Sequence, residues 1–396
     1  MGKKDRTLLG CALAYGGAYL SRHNLSAALP AMITSLGLTE ASGGMAQTLF
    51  ALCYAAGQFA AGAVADRVDA KLFIRAGLLA SALANISIAA FGSFYPTVAL
   101  CAVNGLAQSM LWTPIVKLIS LSLSSGERES FTFRLFAYLV GAHVAAWALA
   151  GFLAEASSWR AAFAVPGALT LCFAAFAPAL IRAAPSAPRE RGASEAGAPI
   201  GAMLFGTGLA WALLAGATNG FVRDGIASWG PTILSGEGGA NSVALSLLIP
   251  ALNLAGIALG KAAHSLSRRD ARKSVAALAL TGGAFALSIS FFTNAPTVVV
   301  AASLGCAFAC MNGLNPMLAT MIPLEYAGMR RVGLAAGMID CFIYLGSALS
   351  GSATGSIAGA AGWGSVFAVW AGASAAGAAL ILLSGRRAPR NGPAKP

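Results

Sequence analysis

The sequence predicts an all-α membrane protein of twelve transmembrane helices in two pseudo-symmetric six-helix bundles, and three observations predict it. The first is composition. Of 396 residues, 57% are hydrophobic and only 10% charged, where soluble domains carry about 25% charged residues, and the mean hydropathy is +0.73. The second is periodicity: apolar stretches of about 20 residues, the length that crosses hydrocarbon, recur between short loops that carry the basic residues. The third is an echo between the halves, each of which opens with a span holding a lone arginine eight residues before a proline, Arg22 with Pro30 and Arg223 with Pro231.

The first span falls near 7–33. Arg22 is its only charged residue, and the uncharged run around it extends from Thr7 to Thr39. A guanidinium at bilayer depth costs ~2.5–3.5 kcal/mol on insertion scales, so it must face protein, water or a ligand. Tyr15, Tyr19 and Arg22 are spaced four and three apart and share one helix face. The segment is too long for a signal-peptide core and lacks a convincing cleavage site, which predicts a retained helix. Spans two to six follow near 43–65, 72–92, 96–121, 131–153 and 159–182. The stretch from Ala183 to Pro199 contains Pro185, Pro188, Arg189, Glu190, Arg191 and Glu195. It is the long polar linker, and it divides the chain into residues 1–182, a linker at 183–200, and residues 201–396. Spans seven to twelve fall near 201–232, 241–264, 274–292, 295–320, 332–356 and 362–385. Glycine is abundant, 47 residues, and small residues let membrane helices approach closely. Gly333-x-x-x-Gly337 and Gly351-x-x-x-Gly355 are expected at such contacts.

A basic chain with net charge +12 invites a nucleic-acid partner, but the distribution argues for topology. With the N-terminus inside, all but four of the 26 basic residues fall on one side; the exceptions are Arg160, in an opposite loop, and Arg22, Lys117 and Arg223, within spans. The positive-inside rule then puts both termini in the cytoplasm, as in a multi-pass inner-membrane protein. The partners this implies are a lipid bilayer and a small solute, with no nucleic acid. The seven cysteines lie in apolar segments and are expected to be free packing thiols. No phosphate-cradling loop, metal-ligand cluster or nucleophile–base constellation is present in the sequence, so no enzyme activity, metal or cofactor is expected, and ATP-driven transport by this chain alone is disfavoured. A monomer is expected.

Parallel six-span repeats are a transporter architecture in which the site lies at the midplane between the halves. An arginine from each half suits an anion there, because the guanidinium is always charged and its planar donors match a carboxylate or phosphate bidentately.

Several motifs carry a family resemblance. Gly62-x-x-x-Asp66-Arg67 followed by Lys71 resembles the loop between spans two and three of the major facilitator superfamily. Three stretches resemble its organophosphate:phosphate antiporter branch, the glycerol-3-phosphate and hexose-phosphate transporters. They are Tyr15-x-x-x-Tyr19-x-x-Arg22-x-Asn24; Gly105-x-x-Gln108-x-x-x-Trp112-x-Pro114-x-x-Lys117, leading to Gly126-Glu127-Arg128; and Arg223-x-Gly225-x-x-x-Trp229-x-Pro231-Thr232. Gly337 and Tyr344-Leu345-Gly346 fit as well. The resemblance implies the major facilitator fold and a phosphate held by Arg22 and Arg223 from the two halves. It implies a cytoplasmic gate at Asp66 and Arg67. The chain also departs from the branch. Gln58 stands where a lysine is expected, Asp224 follows the span-seven arginine, and in span five Tyr138 takes the place of a histidine, with His143 offset by more than a turn.

The substrate-binding set expected is therefore Arg22, Arg223, Tyr15, Tyr19, Gln58, Gln108, Trp112, Tyr138, Asn219, Asn312 and Tyr344. His23 is expected to pack. For Arg223 the structural alternative is an ion pair with Asp224 or Asp340. Asp340 is open to three roles: proton carrier, selectivity residue or standing counter-ion; Asp224, about 100° round the helix from Arg223, is a further candidate for coupling or selectivity or faces a neighbouring helix. Three functions follow: exchange of an organophosphate for phosphate, symport of an organic carboxylate with a proton or sodium, or a non-transporting anion sensor of the same fold. The coupled ion is accordingly phosphate, a proton or sodium.

Overall fold

In the computed structural model the described residues are 2–65, 68–122, 125–181, 200–236, 296–318 and 332–385, together with 247, 249, 251–252, 281–286, 288 and 322. They form ten α-helices, and no strand occurs among them. The first six are α1 (Lys3–Leu36), α2 (Glu40–Ala65), α3 (Ala70–Phe91), α4 (Phe94–Ser122), α5 (Ser125–Ala156) and α6 (Ala161–Leu180). They are followed by α7 (Ile200–Gly206), α8 (Leu209–Gly236), α9 (Thr297–Pro316) and α10 (Val332–Gly385). Six described stretches are long and apolar enough to cross a membrane. Their outward faces are apolar: Leu83, Phe152 and Phe176 are 57%, 63% and 67% exposed, an arrangement suited to lipid and not to water. This is the all-α membrane fold the sequence predicts.

The first six helices match spans one to six within a few residues. The span expected as one helix at 201–232 is instead two, α7 and α8, parted at Thr207–Gly208, where Gly208 takes a left-handed φ of 79°. Conversely, α10 is continuous in hydrogen bonding but breaks at Gly362, with φ 76° and ψ 169°. That break separates 332–361 from 363–385, the eleventh and twelfth spans. The spans expected near 241–264 and 274–292 lie largely outside the described residues, as do Asp66 and Arg67.

The chain forms two compact units. One comprises Met1–Glu190 with Ser228–Pro250, the other Arg191–Ala227 with Ala251–Pro396. In the first unit α1 is central and packs on α5 and α6, while α3 and α4 pair with each other and α2 packs on α4. Two apolar clusters sit along α1. One joins Leu8, Ala14 and Ala18 to Ile74, Leu111, Leu135 and Ala174; the other joins Leu25, Ala28 and Met32 to Ile88, Val98, Ala150 and Phe163. Between them lies the short polar stretch Ser21–Arg22–His23–Asn24. Lipid is as apolar as leucine, so helices here associate through close packing and interhelical hydrogen bonds. The polar stretch is where the hydrogen bonds concentrate.

In the second unit α8 and α10 approach at glycine. A Cβ on Gly220 would strike the carbonyl of Ile343, and one on Gly346 would strike the carbonyl of Ala217. At Gly337, expected at a close helix contact, nothing among the described residues lies within 4 Å of a placed Cβ. The glycine interface belongs to Gly220 and Gly346 because those are the positions where two backbones meet.

Candidate functional site

Arg22 lies on α1 between the two apolar clusters, partly buried. Its Nε donates to Gln108 Oε1 at 2.8 Å, and its guanidinium sits 4.6 Å from the centroid of Tyr54 and 5.3 Å from that of Phe50. Cation–π contacts of this kind contribute about 0.5–2 kcal/mol. An amide and two rings thus hold the arginine on this side.

Gln108 is itself held by the polar belt of the first unit. It is fully buried, and its Nε2 donates to Ser81 Oγ at 3.2 Å and Asn104 Oδ1 at 3.1 Å. Ser81 Oγ donates to Asn104 Oδ1 at 2.6 Å. Asn104 Nδ2 and Asn85 Nδ2 both donate to the backbone carbonyl of Ser21, at 2.6 and 3.2 Å. Asn24 Nδ2 donates to Asn85 Oδ1 at 2.8 Å and to the Ala162 carbonyl at 3.1 Å. The hydroxyls of Ser21 and Thr170 lie 2.7 Å apart. This chain ties α1, α3, α4 and α6 together around the turn that carries Arg22. Sequence reasoning missed Ser81, Asn85, Asn104 and Thr170. Their signal was available: Ser81 with Asn85 and Asn104 with Gln108 are polar pairs four residues apart in otherwise apolar spans, and that spacing aligns them on one helix face.

A second set of contacts surrounds the tyrosines. Tyr15 meets Tyr19 and Trp112 edge-on, with centroids 5.2 and 5.1 Å apart. Tyr19 meets His23 at 5.1 Å and His143 at 5.4 Å, and the two imidazoles stack at 3.8 Å. Tyr15, Tyr19 and Trp112 are therefore brought together. His23 packs, as expected, but against His143, which sequence reasoning set aside. Tyr138 is 53% exposed on α5, while His143 on the same helix supplies the ring beside Tyr19. Gln58 is partly buried and accepts from Thr113 Oγ1 at a long 3.5 Å.

In the second unit Arg223 has a different setting. Its Nε donates to Asp224 Oδ1 at 2.7 Å and its Nη2 to Asp224 Oδ2 at 3.0 Å. This is a bidentate ion pair between sequence neighbours, with side chains only 10% and 25% exposed. The ion pair weighed as the structural alternative for Arg223 is thus present. Asp340 lies on α10, partly buried. Asn219, one turn before Arg223, donates from Nδ2 to the Met311 carbonyl at 3.1 Å, and its buried Oδ1 has no hydrogen-bond partner. Asn312 bonds back to the Phe308 carbonyl of its own helix at 3.0 Å. Tyr344 lies one turn beyond Asp340 on α10, partly buried. Among the described residues no group of three metal-ligating side chains occurs.

Two helical units, each with an arginine in its first long helix and apolar outward faces, make this a membrane protein. The sequence model of the Major Facilitator Superfamily matches residues 11–326, and the chain belongs to that family. That family and the relatives named next point to a transporter and not to an enzyme. Among its relatives are a probable hexose phosphate transport protein of Chlamydia pneumoniae, 26% identical over 39% of this chain and 34% of the relative. The membrane sensor protein UhpC of Escherichia coli is 27% identical over 43% and 38%. The glycerol-3-phosphate transporter of Bacillus subtilis is 24% identical over 46% and 41%. The matched stretches thus span between a third and two-fifths of these relatives. The structure resembles that of a bacterial homologue of the human lysosomal transporter Spinster, with TM-score 0.81, 15% identity and 98% of each chain covered. It also resembles a D-xylose–proton symporter, with TM-score 0.74, 14% identity, and 97% and 96% covered.

Proposed function

We propose that this chain is a secondary active transporter of a small organic anion, exchanging an organophosphate for phosphate by alternating access, with the anion clamped between Arg22 and Arg223. One observation carries the reading: two intramembrane arginines at matched places in the halves, each presented by the same kind of helix eight residues before a proline. The bidentate grip of Arg223 on Asp224 supports the ligand chemistry, because a planar fork that takes one oxyanion suits another. Relatives that carry hexose phosphate or glycerol 3-phosphate support the phosphate ester as first choice.

In this reading Gln108, Gln58, Tyr15, Tyr19, Trp112 and Tyr138 line the first unit's side of the pathway, and Asn219, Asn312 and Tyr344 the second's. Residues 1–182 and 201–396 rock about the anion, and Asp66 with Arg67 latches the cytoplasmic side. Both termini lie in the cytoplasm, the protein sits in the inner membrane, and it works as a monomer. A second reading, symport of an organic carboxylate with a proton or sodium, draws on the balance of charge. Asp224 and Asp340 offset the two arginines, and Gln58 adds none. A third, an anion sensor, draws on the relation to UhpC.

Purified protein in liposomes separates the three. Counterflow of labelled phosphate against glycerol 3-phosphate, unmoved by an imposed proton gradient, supports exchange. Carboxylate uptake driven by that gradient and lost in Asp340→Asn supports symport. Binding of an anion without any flux supports the sensor.

A further inference from the structure

We infer that Asp224 is a built-in competitor for Arg223. The transported anion binds by displacing its carboxylate, and the displaced carboxylate takes up a proton. The inference rests on the proposed anion clamp and names how its second jaw is loaded.

The geometry begins with adjacency. Neighbouring residues on a helix point about 100° apart, so Asp224 is expected to face away from Arg223. Instead both carboxylate oxygens are turned onto the guanidinium, at 2.7 and 3.0 Å. The fork that a substrate oxyanion needs is therefore filled by the protein's own carboxylate. Arg223 is nine-tenths buried at its side chain, in a medium where an arginine without a counter-charge is costly. Asp224 answers that need. Its own side chain is one-quarter exposed, so it is the more accessible partner and the one that can be exchanged.

Charge balance sets the second half of the step. The pair Arg223⁺·Asp224⁻ is neutral. When a substrate anion takes the fork, the carboxylate is left in a low-dielectric setting without its cation, where the charged form is disfavoured. A proton from water on the open side converts Asp224 to the neutral acid, so each anion bound at Arg223 brings one proton with it. Among the described residues, α10 contributes Asp340, Cys341 and Tyr344 to the elements packed on α8 and α9 contributes Cys306 and Cys310, with no lysine or arginine on either. The helix α2, whose Gln47 Nε2 donates to the Ser228 carbonyl, contributes Glu40, Cys53 and Tyr54, and α5, whose Trp147 lies beside Gly230, contributes Arg134, Tyr138, His143 and Glu155. Asp340 is the carboxylate on α10, but the bidentate bonds to Arg223 are made by Asp224. In an obligatory exchange the proton accompanies the anion in both directions. Net counterflow then stays indifferent to a proton gradient, while the binding step depends on pH.

Titration calorimetry of the full-length protein in detergent, in buffers of different ionisation enthalpy at pH 8, counts the protons. The probes are glycerol 3-phosphate, glucose 6-phosphate and inorganic phosphate. Wild type is expected to take up close to one more proton per anion than Asp224→Asn, and its affinity to fall up to tenfold more steeply per pH unit above pH 7. Asp224→Ser serves as a second variant if the amide fails to fold. Equal proton counts in wild type and variant overturn the inference while leaving the clamp standing. Loss of the extra proton in Asp340→Asn but not in Asp224→Asn also overturns it, by assigning the exchange to Asp340. If none of the probes binds wild type or variant, the clamp itself is wrong and the inference falls with it.

Discussion

The two arginines are alike in sequence and unlike in setting. Arg22 donates to the Gln108 amide and lies over two rings, whereas Arg223 is gripped by the Asp224 carboxylate. Arg22→Lys keeps the charge but loses Nε and the planar fork. It is expected to fold normally and to weaken glycerol 3-phosphate binding at least tenfold, read as loss of ligand-induced thermal stabilisation. Gln108→Leu acts differently. It leaves Arg22 Nε, Ser81 and Asn104 without their shared partner, and orphaned buried polar groups cost about 1–3 kcal/mol each. A lower melting temperature in detergent, together with weaker anion binding, is the expected outcome. Normal stability in Gln108→Leu would mean the belt does not support the arginine.

At the level of elements, the polar belt and the glycine contact do the work that hydrophobic burial does in water. The belt fixes the rotation of α1 against α3, α4 and α6, because Asn85 and Asn104 grip the Ser21 carbonyl from two helices. Asn104→Ala is expected to destabilise the first unit by about 1–2 kcal/mol, measured by unfolding in detergent, since membrane hydrogen bonds contribute ~0.6–2 kcal/mol each. In the second unit Gly220→Val places a branched side chain on the Ile343 carbonyl and forces α8 from α10. Overpacking costs about 1–3 kcal/mol, and here it also moves Arg223, so both stability and counterflow should drop. Gly337→Ala, at a site with open space among the described residues, should do neither. Equal effects of the two substitutions would refute the assignment of the interface.

For the molecule as a whole, the expected behaviour is that of a topology set by loop charge and a cycle set by its anion. Single cysteines introduced at Lys3 and at Lys395 in a cysteine-free background should react with an impermeant thiol reagent only after the inner membrane is opened, as the positive-inside rule requires. Labelling of either in intact spheroplasts would invert the topology. A true substrate at 100 times its dissociation constant should stabilise the whole protein by about 2.7 kcal/mol. A panel of phosphate esters and carboxylates scored by that shift ranks exchange against symport.

Much of this was legible in the sequence because the bilayer imposes one-dimensional rules. Length, apolarity and loop charge place a span without knowledge of its neighbours, so α1 to α6 fall where expected and Gly362 parts the last two spans. The lone Arg22 and Arg223 were legible for the same reason, as charge in hydrocarbon demands a function or a partner. What the chain order does not carry is which neighbours share a side chain. Nothing in residues 81–108 announces that Ser81, Asn85, Asn104 and Gln108 converge on one turn of α1, because convergence depends on the rotation of three helices. Nor does the spacing of residues 223 and 224 reveal that Asp224 folds back onto its neighbour. The sequence by itself determined a membrane fold with one buried arginine in each half. Only the tertiary structure decided that the Nε of Arg22 meets an amide and that of Arg223 a carboxylate, since that depends on which side chain the packing brings within 3 Å.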